Sequence, residues 1–201
     1  MRRLRAVNPA RRRGESQVKV TPTALPEVLL IEPTVYGDAR GFFFESFSTE
    51  RYEAAGVQGP FLQDNVSFSQ RGVLRGLHLQ NPSAQGKLVS ALEGEVFDVA
   101  VDVRVGSPRF GRWVGETLSA TNKRQLWVPP GFAHGFVVTS AQALFAYKCT
   151  EYYRPEAEVC IRWDDPRIGI GWPTRDVTLS AKDRAGVALD AVDPARLLPY
   201  G

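Results

Sequence analysis

Two histidines are all the imidazole chemistry this chain has. The first, His78, sits in the segment QDNVSFSQRGVLRGLHLQNPSAQGK, residues 63–87, three positions after Arg75 and nine before Lys87. A neutral imidazole between two fixed positive charges suits one task well, taking a proton from a carbon acid in an anionic substrate. The segment opens on an amide–acid–amide triplet, Gln63-Asp64-Asn65. The second histidine, His134, follows Pro129-Pro130-Gly131.

These residues need elements to hold them. The apolar run Val73-Leu74 and Leu77–Leu79 sets His78 on or beside a strand rather than in a solvated loop. In a regular strand, Arg75 and His78 would point to opposite faces, so Gly76 must allow a bend or bulge if both serve one site. Strand patterns begin at Val28–Pro33, turn through Gly37-Asp38, and resume as an aromatic strand from Arg40 to Phe47. The Phe42–Phe44 run reads mostly as core. Ser48–Ala55 has a cap-like hydroxyl, an acid in its first turn and a stop at Gly56, which predicts a helix. Further strands are predicted at 87–92, 95–103, 113–118, 125–128, 134–138 and 143–150, and short helices and loops from Asp176 on. In the 95–103 strand Phe97, Val99, Val101 and Val103 share one face, and Asp98, Ala100 and Asp102 the other. Eight or more short strands with Gly/Pro turns exclude a parallel α/β sheet and leave an all-β sandwich or barrel, for which a jelly roll is one solution.

A length of 201 residues fits one domain with a proper core. Apolar residues at 43% and charged residues at 23% are ordinary for a globular chain, and no run approaches a membrane span. The net charge of +3 is local: residues 2–13 carry six arginines and no acid. Setting those six aside leaves 19 basic residues against 22 acidic, with no basic stripe, so neither nucleic acid nor membrane is expected as a partner. Residues 1–20 show no periodicity and read as a disordered basic arm, with one domain over 21–201. The arm lacks the apolar region of a secretory signal. Cys149 and Cys160 fit no metal spacing, and Cys149, in a strand pattern, reads as a buried reduced thiol, which points to the cytoplasm.

Gly76-Leu77-His78 and Pro129–Phe136, the latter matching P-x-G-x-x-H, resemble the paired motifs of cupin jelly rolls, the double-stranded β-helix. A metal cupin needs a second histidine two residues after the first, and here that position is Gln80. His78 and His134 alone fall short of the usual three ligands, so no metal is expected. The closer resemblance is to the dTDP-4-dehydrorhamnose 3,5-epimerases, a metal-free cupin branch serving L-rhamnose biosynthesis. It spans roughly Leu25 to Leu189 through the blocks RGFFFESF, QDN, VLRGLHLQ, QGKLV, GEVFDVAVDVR, SPRFGRW, NKRQLWVPPGFAHGF, YKCTEYY, IGIGWP and LSAKD, in order and at compatible spacing. The departures are the long N-terminus and Cys149 within the tyrosine block.

The resemblance implies His78 as the base, Asp183 as its partner, Tyr147 as the acid and Lys87 beside the sugar carbonyl. It puts Arg40, Glu45, Gln63, Asn65, Arg75, His134, Glu158 and Lys182 on nucleotide- and phosphate-contacting positions. It further implies a homodimer in which the segment of Arg40 and Glu45 reaches the neighbouring subunit's site, and no bound coenzyme. The implied substrate is dTDP-4-dehydro-6-deoxy-D-glucose, inverted at C3 and C5 through an enolate. Imidazolium is a stronger acid than such a carbon by on the order of ten pKa units, so a cation at the enolate oxygen must share the work. Structural alternatives stay open: a satisfied core histidine for His78, a turn for His134, core packing for Tyr147, a helix cap for Asp183. So do functional ones: inversion of C3 or C5 alone, a sugar-binding cupin without turnover and, last, a metal-dependent oxygenase.

Overall fold

Period-two alternation with little helical pattern makes this chain's regular structure mostly sheet. A computed structural model describes residues 18–201. Its strands are β1 (Val18–Pro22), β2 (Leu29–Pro33), β3 (Val35–Asp38), β4 (Gly41–Phe44), β5 (Gln63–Gln70), β6 (Leu74–Gln80) and β7 (Lys87–Glu93). They continue as β8 (Glu95–Asp102), β9 (Trp113–Ser119), β10 (Gln125–Val128), β11 (Phe132–Val138), β12 (Gln142–Cys149) and β13 (Glu158–Cys160). Two short helices, α1 (Thr49–Ala54) and α2 (Ala181–Arg184), complete the regular structure beside single 3-10 turns.

The strands form a six-stranded sheet in the order β1-β2-β10-β7-β12-β5 and a five-stranded sheet in the order β13-β6-β11-β8-β9, all pairs antiparallel. The fold is the expected all-β jelly roll. Between the sheets, Val89, Leu126 and Phe145 of one meet Val96, Leu118 and Phe136 of the other. The outer face of the five-stranded sheet is covered by the C-terminal tail through Ile168, Ile170, Trp172, Leu189 and Leu197. The outer face of the six-stranded sheet receives Tyr52 of α1 on Leu29, Ile31 and Trp127. With both faces of β8 buried, Val99 and Val101 pack outward while Asp98 and Ala100 face the interior.

Three local expectations change. Strand β1 starts at Val18, inside the stretch read as aperiodic; its five residues end in a proline on a sheet edge, too little pattern to show in sequence. The rest of the basic arm lies outside the described residues. The turn expected at Gly37-Asp38 falls two residues later, so β3 and β4 form a separate two-stranded hairpin instead of one long aromatic strand. That hairpin pairs with neither sheet, so Phe42 and Phe43 are 60% and 69% exposed rather than core. Lys123, 4.0 Å above the Phe42 ring, covers part of it.

Candidate active site

The jelly roll leaves one end of its interior open as a cavity of about 410 Å³. Inward-facing residues of β5 (Gln63, Asn65, Ser67), β6 (Arg75, His78), β7 (Lys87), β11 (His134, Phe136) and β12 (Phe145, Tyr147, Cys149) form its wall. Glu158 of β13 and Ser180, Lys182 and Asp183 around α2 close one side. His78 and Tyr147 thus share one chamber, on strands of opposite sheets.

Both Arg75 and His78 reach it because β6 is bulged. His134 faces His78 and Phe136 faces Arg75, so three steps on β6 oppose two on β11. Gly76 takes the extra residue at φ +122°, and a Cβ there would meet Gly135 Cα at 2.6 Å and His134 O at 2.7 Å. Only glycine fits that approach of two backbones.

His78 Nε2 lies 2.6 Å from Asp183 Oδ1, although 105 residues separate them in sequence. The Gly76 amide donates to the same oxygen at 3.3 Å, and the Ser180 hydroxyl donates to Oδ2 at 2.6 Å. Burial works against the Asp183 charge, but His78 and Ser180 outweigh it and hold the carboxyl at about 2. A carboxylate fixed on Nε2 leaves Nδ1 as the nitrogen free to accept a proton. Ser180 is the N-cap of α2 and accepts from the Asp183 amide, so the cap and the dyad are one arrangement.

On the facing sheet, the Tyr147 hydroxyl has no hydrogen-bond partner among the described residues, and burial pushes its pKa up, keeping it a phenol. Lys87 likewise has no hydrogen bond or ion pair among the described residues; burial lowers its pKa, partly offset by Cys149, Glu158 and Asp98. It is cross-strand from Cys149, a buried free thiol that burial also raises. Among the described residues the Arg75 guanidinium hydrogen-bonds the Ser69 hydroxyl alone, at 3.1–3.2 Å, and pairs with no carboxylate, which leaves its charge available to an anion. His134 Nε2 meets both oxygens of Asp98 at 2.9 and 3.0 Å. Gln63 donates to Asn65 at 2.9 Å and accepts from the Tyr153 amide at 2.9 Å. Glu158 is held by Lys182 Nζ, 2.8 Å from each oxygen, and by the Tyr153 hydroxyl at 3.1 Å.

Ten of the twelve expected site residues therefore line one cavity. Arg40 and Glu45 do not: Arg40 pairs with Asp38 on the exposed β3–β4 turn, and Glu45 pairs with Arg51 of α1. Gln80, at the metal cupin's second histidine position, ties down loops instead, donating to Ser83 O and Tyr152 O and accepting from the Arg154 amide. One ligand-type group among the described residues, His78, Cys160 and Asp183, has its atoms within 4.8 Å of one another. Both Asp183 oxygens there are already hydrogen-bonded, as a dyad requires.

Sequence reasoning missed Asp98, Ser180 and Tyr153. Asp98 had no signal: it shares a strand face with Asp102 and so reads as outward. Ser180 had one, three residues before an acid. Tyr153 had none, since its position depends on how the chain returns after β12.

The dTDP-4-dehydrorhamnose 3,5-epimerase family profile matches residues 22–191. The dTDP-4-dehydrorhamnose 3,5-epimerase of Pseudomonas aeruginosa is 59% identical over 178 residues, 88% of this chain and 98% of that one. That of Salmonella typhimurium is 57% identical over 85% of this chain and 95% of its own. The structure of dTDP-6-deoxy-D-glucose-3,5-epimerase from Legionella pneumophila, in complex with dTDP-4-keto-L-rhamnose, superposes with a TM-score of 0.89 at 56% identity, covering 92% of this chain and 99% of the other. With its cupin-like double sheet and an imidazole and a phenol facing across one cavity, the chain belongs to the dTDP-4-dehydrorhamnose 3,5-epimerase family of isomerases.

Proposed function

We propose that this epimerase works on dTDP-4-dehydro-6-deoxy-D-glucose with His78 as base and Tyr147 as acid. The observation that carries the assignment is their placement on opposing walls of one cavity, with Lys87 between the sheets beside them. The C4 ketone acidifies the hydrogens on C3 and C5. His78 Nδ1 takes such a proton, and the C–H electron pair becomes an enolate whose oxygen lies against the Lys87 ammonium. Tyr147 gives its proton to the opposite face of that carbon, which completes the inversion. Asp183 fixes the tautomer and balances the imidazolium. Arg75 and His134 meet the diphosphate, Gln63 and Asn65 the pyrimidine, and Glu158 and Lys182 the cavity mouth.

The same reading includes a homodimer, in which the β3–β4 hairpin carries Arg40 toward the partner's cavity. Two features support it. Phe42 and Phe43 stand uncovered, and β5 presents Val66 and Phe68 on a sheet edge at 62% and 50% exposure. Free thiols and the want of a long apolar helix among the described residues accord with a cytoplasmic enzyme of one domain.

Solvent exchange followed by NMR in D₂O tests the assignment. Deuterium is expected at both C3 and C5 of the product, and entry at one carbon alone would reject double inversion. His78→Ala is expected to lower exchange by about 10³–10⁴-fold while sparing dTDP affinity. Unchanged exchange would remove His78 as the base.

A further inference from the structure

Inverting two carbons during one visit makes a demand that inverting one does not. After the first inversion the sugar is neutral again, but the chain is left with a protonated His78 and a deprotonated Tyr147. Neither group can repeat its step until one proton has left the imidazole and one has reached the phenolate. The traffic is one proton out and one in, with no oxidant or other reactant.

The Asp183 side is a poor exit. Its carboxylate is 3% exposed, is held at about 2, and already accepts from the Ser180 hydroxyl and the Gly76 amide. On the other side of the ring, Nδ1 lies 3.9 Å from Glu158 Oε1. Glu158 and Asp183 are the two acidic residues of the cavity wall. The Glu158 side chain is 13% exposed, and the Lys182 side chain that grips it is 48% exposed. Base, carboxylate and solvent-facing ammonium thus form a row from the chamber to the surface. A small side-chain rotation or one bridging water closes the remaining gap.

We propose that Glu158 is the proton outlet of His78: it takes the proton from Nδ1 while the sugar is still bound and releases it to water at the Lys182 end, resetting the base for the second inversion. The proposal rests on the assignment of His78 and Tyr147 given above. Lys182 Nζ, 2.8 Å from each Glu158 oxygen and on the exposed side, marks the end of the row where water reaches the carboxylate. The family resemblance has Glu158 touching the substrate, and the two roles have different consequences. A weaker grip on the bound sugar slows both inversions alike. A blocked outlet spares the first and stalls the second.

Glu158→Gln keeps the side chain's shape and cannot carry the proton. Substrate is followed by NMR in D₂O, and substrate deuterated at the first inverted carbon is followed in H₂O. Both inversions are expected to lose rate alike through the weaker grip on the sugar, with the second slowed by about tenfold or more beyond the first, so that singly inverted sugar accumulates. The share of label returned to its original carbon is expected to rise several-fold, because the proton stays on the imidazole, and added formate is expected to restore the second rate. Equal slowing of both inversions with unchanged label return would overturn the outlet. Glu158→Asp, which retains an exchangeable carboxylate, serves should the glutamine variant fold poorly; it is expected to show the same pattern more weakly, and an unchanged product ratio with wild-type label return would again overturn the outlet. Absence of all exchange in the unaltered protein would overturn the His78 assignment and the outlet together.

Discussion

The two histidines of this chain are cross-strand partners, and each holds a carboxylate, yet the two pairs differ in nearly everything else. Asp98 reaches His134 from the adjacent strand β8, fully buried, with no hydrogen-bond donor but the ring among the described residues. Asp183 reaches His78 from a helix over a hundred residues away and brings a hydroxyl and an amide donor with it. Burial raises the Asp98 carboxyl, and His134 and Lys87 only partly offset it. The better-supported Asp183 is held low against the same kind of penalty. A base needs a counter-ion that keeps its charge while the ring gains one, and donors, rather than burial alone, provide that. The His134 pair is built as an interior hydrogen bond that presents one ring to the cavity.

The sharpest way to break this comparison is to neutralise each acid in turn. Asp183→Asn is expected to cost about 10³-fold in kcat, since the amide can neither fix the tautomer nor balance the imidazolium. Asp98→Asn is expected to cost less than about tenfold in kcat but about 1–3 kcal/mol of stability, the penalty of a buried group left with a poorer partner. Steady-state kinetics and denaturant unfolding on both variants check this. Equal kinetic losses would mean that the two pairs do the same work.

The bulge that brings the two histidines face to face comes next. Gly76→Ala places a Cβ within 2.7 Å of backbone atoms on β11 and forces a side chain onto φ +122°. Neither backbone atom belongs to a flexible group that could move aside. A loss of about 2 kcal/mol or more is expected, seen as a lower melting temperature, together with lost exchange activity as His78 and Arg75 are pushed out of register. An alanine variant with full activity would show that the bulge is not what aims them.

That bulge was legible in the sequence itself. Arg75 and His78 fall on opposite faces of a regular strand, and a glycine stands between them. Much of the frame was legible for the same reason: β8 and β10 fall where alternation put them, and α1 lies between its serine and its glycine. Local pattern reports local structure. What it could not report was standing off from the sheets. Phe42–Phe44 has the composition of a buried strand, and whether it is covered depends on a turn two residues later and on having a sheet to join. The short strand β13 was invisible for a related reason. Three residues carry no period, yet they set Glu158 beside His78. Residue types gave most of the cavity wall, while Asp98 and Tyr153 needed three-dimensional neighbours to acquire a role.

The smallest effect separates the pairs by sign. Asp183 is held at about 2 in the fold against 3.8 when free, so it binds its proton more weakly folded than unfolded. Its contribution is fully present above 3.8 and is lost as pH falls toward 2. Asp98 is raised above 3.8, so it binds its proton more tightly in the fold, and its contribution weakens as pH climbs past 3.8. Replacing Asp183 by Asn is therefore expected to flatten the fall in melting temperature between about pH 4 and 2, whereas Asp98→Asn removes a slope of the opposite sign that lies above pH 3.8 and leaves the fall below it unchanged. Melting curves from neutral pH through both windows decide it. Two variants that shift the acid limb in the same direction would mean that the His134 carboxylate is as well supplied with donors as the one beside His78.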